Sequence, residues 1–84
     1  MFLINPALRS RVTPDGAMIL NISADEVISL NATGGYVWER LGEGKTIEEI
    51  VESLATKSGQ DPIVVANDVQ EFIARMAKQG LLTL

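Results

Sequence analysis

Few side chains in this chain could carry out a reaction. The 84 residues include no histidine and no cysteine, so the usual general base near neutral pH and the thiolate ligands of metal sites are both missing. Glu48, Glu49 and Glu52 share one face of a predicted helix and could hold a cation. A capping role for Glu49 and solvation of the other two explain the same pattern. We therefore predict no catalytic residue, no metal site and no cofactor.

Two further features could bind a ligand, and both have simpler explanations. Residues 42–46 read Gly-Glu-Gly-Lys-Thr and resemble the end of a phosphate-binding loop. The full motif requires a glycine at position 39, where this chain has Glu39, so we interpret the segment as a linker that ends in a capping threonine. Tyr36 and Trp38 could stack on a ligand, but Trp38 falls on the apolar face of its helix and is predicted to be buried.

The overall charge argues against polyanionic partners. Eleven acidic and seven scattered basic residues give a net charge of −4, whereas nucleic-acid binding depends on clustered Lys and Arg. The apolar run of residues 1–4 ends at Asn5-Pro6, too soon for a signal peptide or a membrane span. These observations predict a single cytoplasmic domain over residues 1–84 that binds neither nucleic acid nor membrane.

The first part of the chain has the pattern of three short strands. Residues 8–12 and 18–22 flank a turn at residues 13–16, and residues 26–30 follow a second turn. Short connections between consecutive strands predict an antiparallel meander in which the third strand lies at an edge. Residues 82–84 are expected to extend along the sheet.

Three helices are predicted downstream. A residue suited to capping precedes each helix, and glycine follows each one. Within the first helix, Gly34 and Gly35 each cost about 1 kcal/mol relative to alanine, which predicts close packing at its opening turn. The caps are Asn31, Thr46 (with Glu49 as a capping box) and Asp61 (with Pro62 at the first helical position), and the glycines are Gly42, Gly59 and Gly80.

The predicted edge strand and the third helix are the features most suited to binding. Glu26 is the only charged residue in residues 26–30, which contain no proline, although proteins usually protect exposed edges with charge or proline. The third helix has an apolar arc of about 140°, more than one neighbour needs. Either an extended peptide adds to this edge, with Ile28 donating one of the hydrogen bonds, or one of the chain's tails covers it.

A family resemblance rests on the residues between the strands and the helices. The pattern Leu30-Asn31-x-Thr33-Gly34-x-x-Val37-Trp38-x-x-Leu41 is followed by Thr46-Ile47-Glu48-Glu49-Ile50, and the chain ends near Gly80-Leu81-Leu82. Over about residues 8–82 the chain resembles the PqqD-like family, the recognition elements for precursors of ribosomally made, modified peptides. The Thr-Gly-x-x-Val-Trp form is similar to that of the stand-alone members in lasso-peptide pathways.

This resemblance implies an α+β, winged-helix-like fold, with a three-stranded antiparallel sheet followed by three helices. It also implies a non-enzymatic function, in which the leader of a precursor peptide pairs with the third strand, rests against the third helix and is delivered to a leader protease or another maturation enzyme. The peptide-binding residues that it implies are Glu26, Val27, Ile28, Ser29 and Leu30 on the strand, and Val65, Asp68, Val69, Phe72 and Met76 on the helix.

Two alternative functions remain open at this point. One is a PqqD-type chaperone that serves a radical-SAM modification enzyme. The other is a DNA-binding winged helix, which has the same order of elements. Its recognition helix would present Asp68 and Glu71 to the DNA, and these acidic residues are poorly suited to a major groove.

Overall fold

A computed structural model describes residues 3–83. In chain order, the elements are β1 (Leu3–Ile4), β2 (Leu8–Thr13), β3 (Gly16–Asn21), β4 (Glu26–Asn31), α1 (Ala32–Gly42), α2 (Ile47–Ser58), α3 (Pro62–Lys78) and β5 (Leu82–Thr83). Strands β2, β3 and β4 form an antiparallel sheet in that order. The predicted α+β fold, a three-stranded antiparallel sheet followed by three helices, is confirmed.

The turn between β2 and β3 depends on a glycine. Pro14 and Asp15 form the connection between the paired residues Thr13 and Gly16. Gly16 has φ +150°, and a Cβ built on it would lie 2.1 Å from the carbonyl oxygen of Leu30 on β4. Only glycine fits at this position, because any side chain would collide with the backbone of the neighbouring strand.

Each helix begins at the predicted cap. The Asn31 side chain accepts a hydrogen bond from the Gly34 N–H at 2.8 Å, and the Asp61 carboxylate accepts one from the Ile63 N–H at the same distance. Thr46 and Glu49 form a reciprocal capping box with N···O distances of 3.1 and 3.0 Å. These bonds satisfy N–H groups that have no partner within their own helix.

The end of α3 is a Schellman motif, formed at the glycine predicted to follow this helix. Gly80 adopts φ +77°. Its N–H donates to the Ala77 carbonyl at 3.1 Å, and the Leu81 N–H donates to the Met76 carbonyl at 3.0 Å. These are the two hydrogen bonds that define the motif, and Leu81 is fully buried beside the core.

The core lies between one face of the sheet and the three helices. Ile19 projects from the sheet into a cluster that includes Val37 and Trp38 of α1, Ile50 of α2 and Val65 of α3, all at most 2% exposed. The predicted burial of Trp38 is confirmed. A Cβ on Gly35 would lie 2.8 Å from the carbonyl carbon of Gly16, so the opening turn of α1 packs directly on the start of β3.

The two ends of the described chain pair with each other. Strands β1 and β5 are antiparallel, with Leu3 opposite Thr83 and Ile4 opposite Leu82. The Asn5 N–H donates to the Leu81 carbonyl at 3.1 Å, and the Asn5 side-chain amide donates to the Gly80 carbonyl at 3.2 Å. This pair lies beside the end of α1, where a Cβ on Gly42 would be 3.5 Å from Ile4 Cδ1.

Over residues 3–83, this pairing excludes one of the two sequence-based alternatives for the β4 edge, coverage by a tail of the chain. Leu82 and Thr83 pair with β1 rather than with the three-stranded sheet, and addition of a peptide stays a prediction. Residues 1, 2 and 84, which also belong to the predicted apolar start and C-terminal extension, lie outside the described range. Within that range, no helix has both the length and the apolar character needed to cross a membrane.

Candidate functional site

The exposed edge of β4 presents backbone groups from alternate residues. The Leu30 carbonyl points towards β3, because it would meet a Cβ on Gly16. In a strand, the N–H and C=O of one residue point to the same side, and successive residues alternate. Ile28 and Glu26 therefore also bond towards β3, while Val27 and Ser29 direct their N–H and C=O groups at the open edge. The hydrogen-bond donor expected at Ile28 is thus already used within the sheet.

The side chains of β4 alternate in the perpendicular direction. Ile28 and Leu30 are partly buried and pack against the core beneath the helices. Val27 and Ser29 are exposed on the outer face of the sheet, with Val27 61% exposed. A strand added to this edge would consequently place alternate side chains on the helix side and on the outer side.

A groove of about 370 Å³ lies on the helix side of this edge. It runs between α3 and the junction of β4 with α1, and the last turn of α2 closes one side. Its apolar walls are Leu30, Val37, Leu54, Val65, Val69 and Phe72, and its more polar lining consists of Ser29, Asn31, Thr33, Gly34, Ser58, Gln60, Asp68, Glu71 and Arg75. A groove with apolar walls and a polar rim is suited to anchoring apolar side chains of an extended peptide.

Gly34 and Phe72 shape the middle of the groove. A Cβ on Gly34 would lie 3.1 Å from Phe72 Cε1 and 3.3 Å from Leu30 Cβ. Phe72 is only partly buried, and it packs against the core. The absence of a side chain at position 34 therefore lets the Phe72 ring approach the start of α1.

The structure brings together most of the predicted binding residues. Ser29, Leu30, Val65, Asp68, Val69 and Phe72 line the groove. Glu26, Val27 and Ile28 lie on the same strand beyond the groove lining, and Met76 is 2% exposed within the core.

Several lining residues were not predicted from the sequence. Thr33, Gly34 and Val37 belong to the opening of α1, and Leu54, Ser58 and Gln60 come from the end of α2 and the loop after it. The paired glycines signalled close packing at α1, but no sequence pattern indicated that the end of α2 would reach the same groove. Glu71 and Arg75 lie on the polar face of α3, beside the predicted Asp68.

Charged side chains of both signs surround the groove. Asp68, Glu71 and Arg75 are exposed, and the ion pairs of residues 3–83 instead join Arg40 to Glu39 and Glu43. A bound peptide could pair with any of the three without breaking an existing salt bridge. Over the same residues, no cluster of three or more His, Cys, Asp or Glu side chains is arranged to hold a metal ion.

The aromatic and acidic candidates away from the groove have structural roles. The Tyr36 hydroxyl hydrogen-bonds the Ser53 hydroxyl, and the Arg40 and Lys57 cations lie 4.9 and 4.7 Å from the centre of its ring. The Ser53 and Lys57 contacts tie α1 to α2, and the Arg40 contact lies within α1. The capping hydrogen bonds with the Thr46 N–H and hydroxyl, with a smaller contribution from the charge of Lys45, hold the pKa of Glu49 below its usual value.

Comparisons with known proteins identify relatives of this chain. The family model for coenzyme PQQ synthesis protein D (PqqD) matches residues 16–82. The structure of TbiB1 in complex with the TbiA(beta) leader peptide is similar, with a TM-score of 0.88 and 30% identity over 94% of this chain and 92% of that one. A lasso peptide synthetase B1 complexed with the leader peptide has a TM-score of 0.90 over 99% and 98% of the two chains, at 18% identity. No curated protein matches the sequence.

Proposed function

The chain belongs to the PqqD family, and from this premise we propose that it binds the leader segment of a ribosomally synthesised precursor peptide. The leader adds as a strand to β4. The observation that carries this proposal is the open edge at Val27 and Ser29 beside an apolar groove. TbiB1, the relative at 30% identity, was solved with a leader peptide bound, which supports the same function here.

Binding in this mode divides into a backbone part and a side-chain part. The N–H and C=O groups of Val27 and Ser29 form hydrogen bonds with the peptide backbone, which hold an extended segment whatever its sequence. Alternate peptide side chains enter the groove and contact its partly buried residues Leu30, Leu54 and Phe72. Ordering the peptide costs free energy, so we expect dissociation constants between about nanomolar and micromolar.

The proposed role is that of an adaptor rather than an enzyme. The protein presents the bound leader to a separate maturation enzyme, a leader protease in a lasso-peptide pathway. A PqqD-type chaperone role for a radical-SAM modification enzyme is the alternative, because either enzyme could act on a leader held at the same edge. The proposal places the protein in the cytoplasm, without nucleic acid or membrane as a partner.

Selection from a displayed library of random twelve-residue peptides tests the binding without knowledge of the natural leader. We expect enrichment of peptides that bind the wild-type protein, with amide NMR shifts at Val27 and Ser29 and along the groove side of α3. The synthetic TbiA(beta) leader provides a second probe. If no peptide is enriched, or if the shifts are confined to the exposed face of α2, the proposed site is wrong.

The adaptor role needs its own measurement. Sequencing of the neighbouring open reading frames identifies candidate maturation enzymes, and the rate at which a purified candidate processes its precursor is compared with and without this protein. A rate that rises with the protein and falls back when excess free leader is added supports delivery. An unchanged rate contradicts delivery but leaves leader binding intact.

A further inference from the structure

The outer face of the sheet is exposed to solvent, yet it carries several large apolar side chains. Sheets of this kind usually carry polar side chains on the face that no other layer covers. Here Met18 and Leu20 of β3 and Val27 of β4 lie on that face, and they are 58%, 42% and 61% exposed. Ile22, in the following turn, is 58% exposed as well. Residues 16–21 thus present apolar side chains on both sides of β3.

The register arranges these side chains in two rows across the sheet. One row runs from Arg9 through Leu20 to Val27, and the other runs from Arg11 through Met18 to Ser29. Both rows end at the open edge of β4. A peptide strand added there extends each row by one residue, with its Cβ about 5 Å from that of Val27 or Ser29.

We propose that Val27, supported by Leu20, determines specificity by contacting an outward-facing side chain of the bound leader. The leader residue opposite Val27 is a large apolar one, and the residue next to it in the leader points into the groove. The leader is therefore recognised on both faces of the added strand. This inference rests on the proposed function, because it requires the leader to pair with β4.

The two rows are expected to differ in selectivity. Most of the surface of the Val27 side chain is exposed to solvent. A leader side chain opposite Val27 buries part of this apolar surface, which favours binding. A side chain opposite Ser29 meets a small hydroxyl group, which accepts polar and apolar neighbours alike. We therefore expect one outward position of the leader to be selective, and the outward position two residues away to be tolerant.

The inference is tested by repeating the random-peptide selection with three variants. Val27→Lys and Val27→Glu place opposite charges at the proposed contact, and Ile63→Lys introduces a lysine at another exposed apolar site, which is 72% exposed and outside the groove lining. Thermal unfolding establishes that each variant folds. The wild type and Ile63→Lys should enrich the same apolar residue at one outward position.

The charged variants should change that position alone. Val27→Lys is expected to enrich Asp or Glu there and Val27→Glu to enrich Lys or Arg, while the groove-facing positions keep their preferences. With single synthetic peptides, exchanging the charge at this position should change affinity by about two- to fivefold in opposite directions for the two variants.

The outcomes separate this inference from the proposed function. If all four proteins enrich the same residues at every position, Val27 does not select a side chain of the leader. The inference is then wrong, although leader binding at β4 stands. If the wild type enriches no peptide, the proposed function fails, and this inference fails with it.

Discussion

The ring of Phe72 rests against Gly34, and a Cβ at position 34 would lie 3.1 Å from Phe72 Cε1. The contact joins α3 to the first turn of α1 at the middle of the groove. Because Phe72 lines the groove, a group added at position 34 that displaces its ring changes the shape of the proposed binding site.

We expect Gly34→Ala to weaken peptide binding more than it affects folding. The added methyl group pushes the Phe72 ring towards the groove and should reduce affinity about fivefold, equivalent to ~1 kcal/mol. The better helix propensity of alanine offsets the displacement, so the free energy of unfolding should change by less than about 1 kcal/mol. Peptide titration and urea unfolding of the same variant measure the two quantities.

The adjacent glycine provides the matched control. A Cβ on Gly35 would lie 2.8 Å from the carbonyl carbon of Gly16, and a backbone atom cannot move aside as a ring can. Gly35→Ala should therefore lower the free energy of unfolding by about 2 kcal/mol or more. If Gly34→Ala is destabilised as much as Gly35→Ala, the Phe72 ring cannot move aside and the prediction for Gly34 is wrong.

Proline on β4 should separate the open edge from the internal hydrogen bonds. Ser29→Pro removes an N–H that points at the open edge, so the protein should fold while peptide affinity falls at least tenfold. Ile28→Pro removes a bond to β3 and should unfold the sheet instead. Circular dichroism and peptide titration distinguish the two effects.

The opposite edge of the sheet supplies a control for this pair. On β2, Ser10 alternates with residues that bond to β3, so its N–H points away from the sheet as that of Ser29 does. Ser10→Pro should fold and bind peptide like the wild type. Equal loss of binding in Ser10→Pro and Ser29→Pro would argue against an added strand at β4.

Arg75 should make the protein prefer peptides that carry a negative charge near the rim of the groove. It lies at the rim of the groove without a salt bridge among the described residues. Arg75→Glu should weaken binding of peptides with a nearby carboxylate by about two- to fivefold at low salt, and added salt should remove the difference. Lys78→Glu makes the same charge change on α3 outside the groove lining, so it should leave affinity unchanged.

The lowered pKa of Glu49 predicts that the free energy of unfolding depends on pH, independently of peptide binding. The capping bonds lower its pKa in the folded chain, so its contribution to stability is complete above the usual glutamate pKa of about 4.3. That contribution is lost as the pH falls through the lowered value. Glu49→Gln should show a weaker loss of stability in acid, measured by urea unfolding across this range. Glu52→Gln, an exposed residue outside the cap, should behave like the wild type.

Much of the fold could be predicted because its signals are local. Asn31, Thr46 and Asp61 cap their helices through hydrogen bonds to residues two or three positions away, and Gly80 ends α3 through bonds within one turn. The short β-like segments separated by turns likewise indicated the strands. The β1 and β5 pairing escaped prediction because each strand has only two residues, and the paired positions are far apart in the sequence.

The site was harder to predict than the fold. The edge strand was identified, but Ile28 was wrongly expected to donate to the open edge, because a donor there depends on which way its N–H points. That direction became clear only from the approach of the Leu30 carbonyl to Gly16. Leu54 and Ser58 reach the groove through the packing of α2 against its neighbours, for which no local pattern exists.

The pairing of β1 with β5 has a consequence for how this module can be joined to other proteins. Residues 3 and 83 lie opposite each other beside the last residue of α1, whereas β4 leads into its first. The 11 residues of α1 span about 16 Å. Segments attached before residue 3 and after residue 83 would therefore leave the described fold from the same corner, about the length of α1 away from the end of β4.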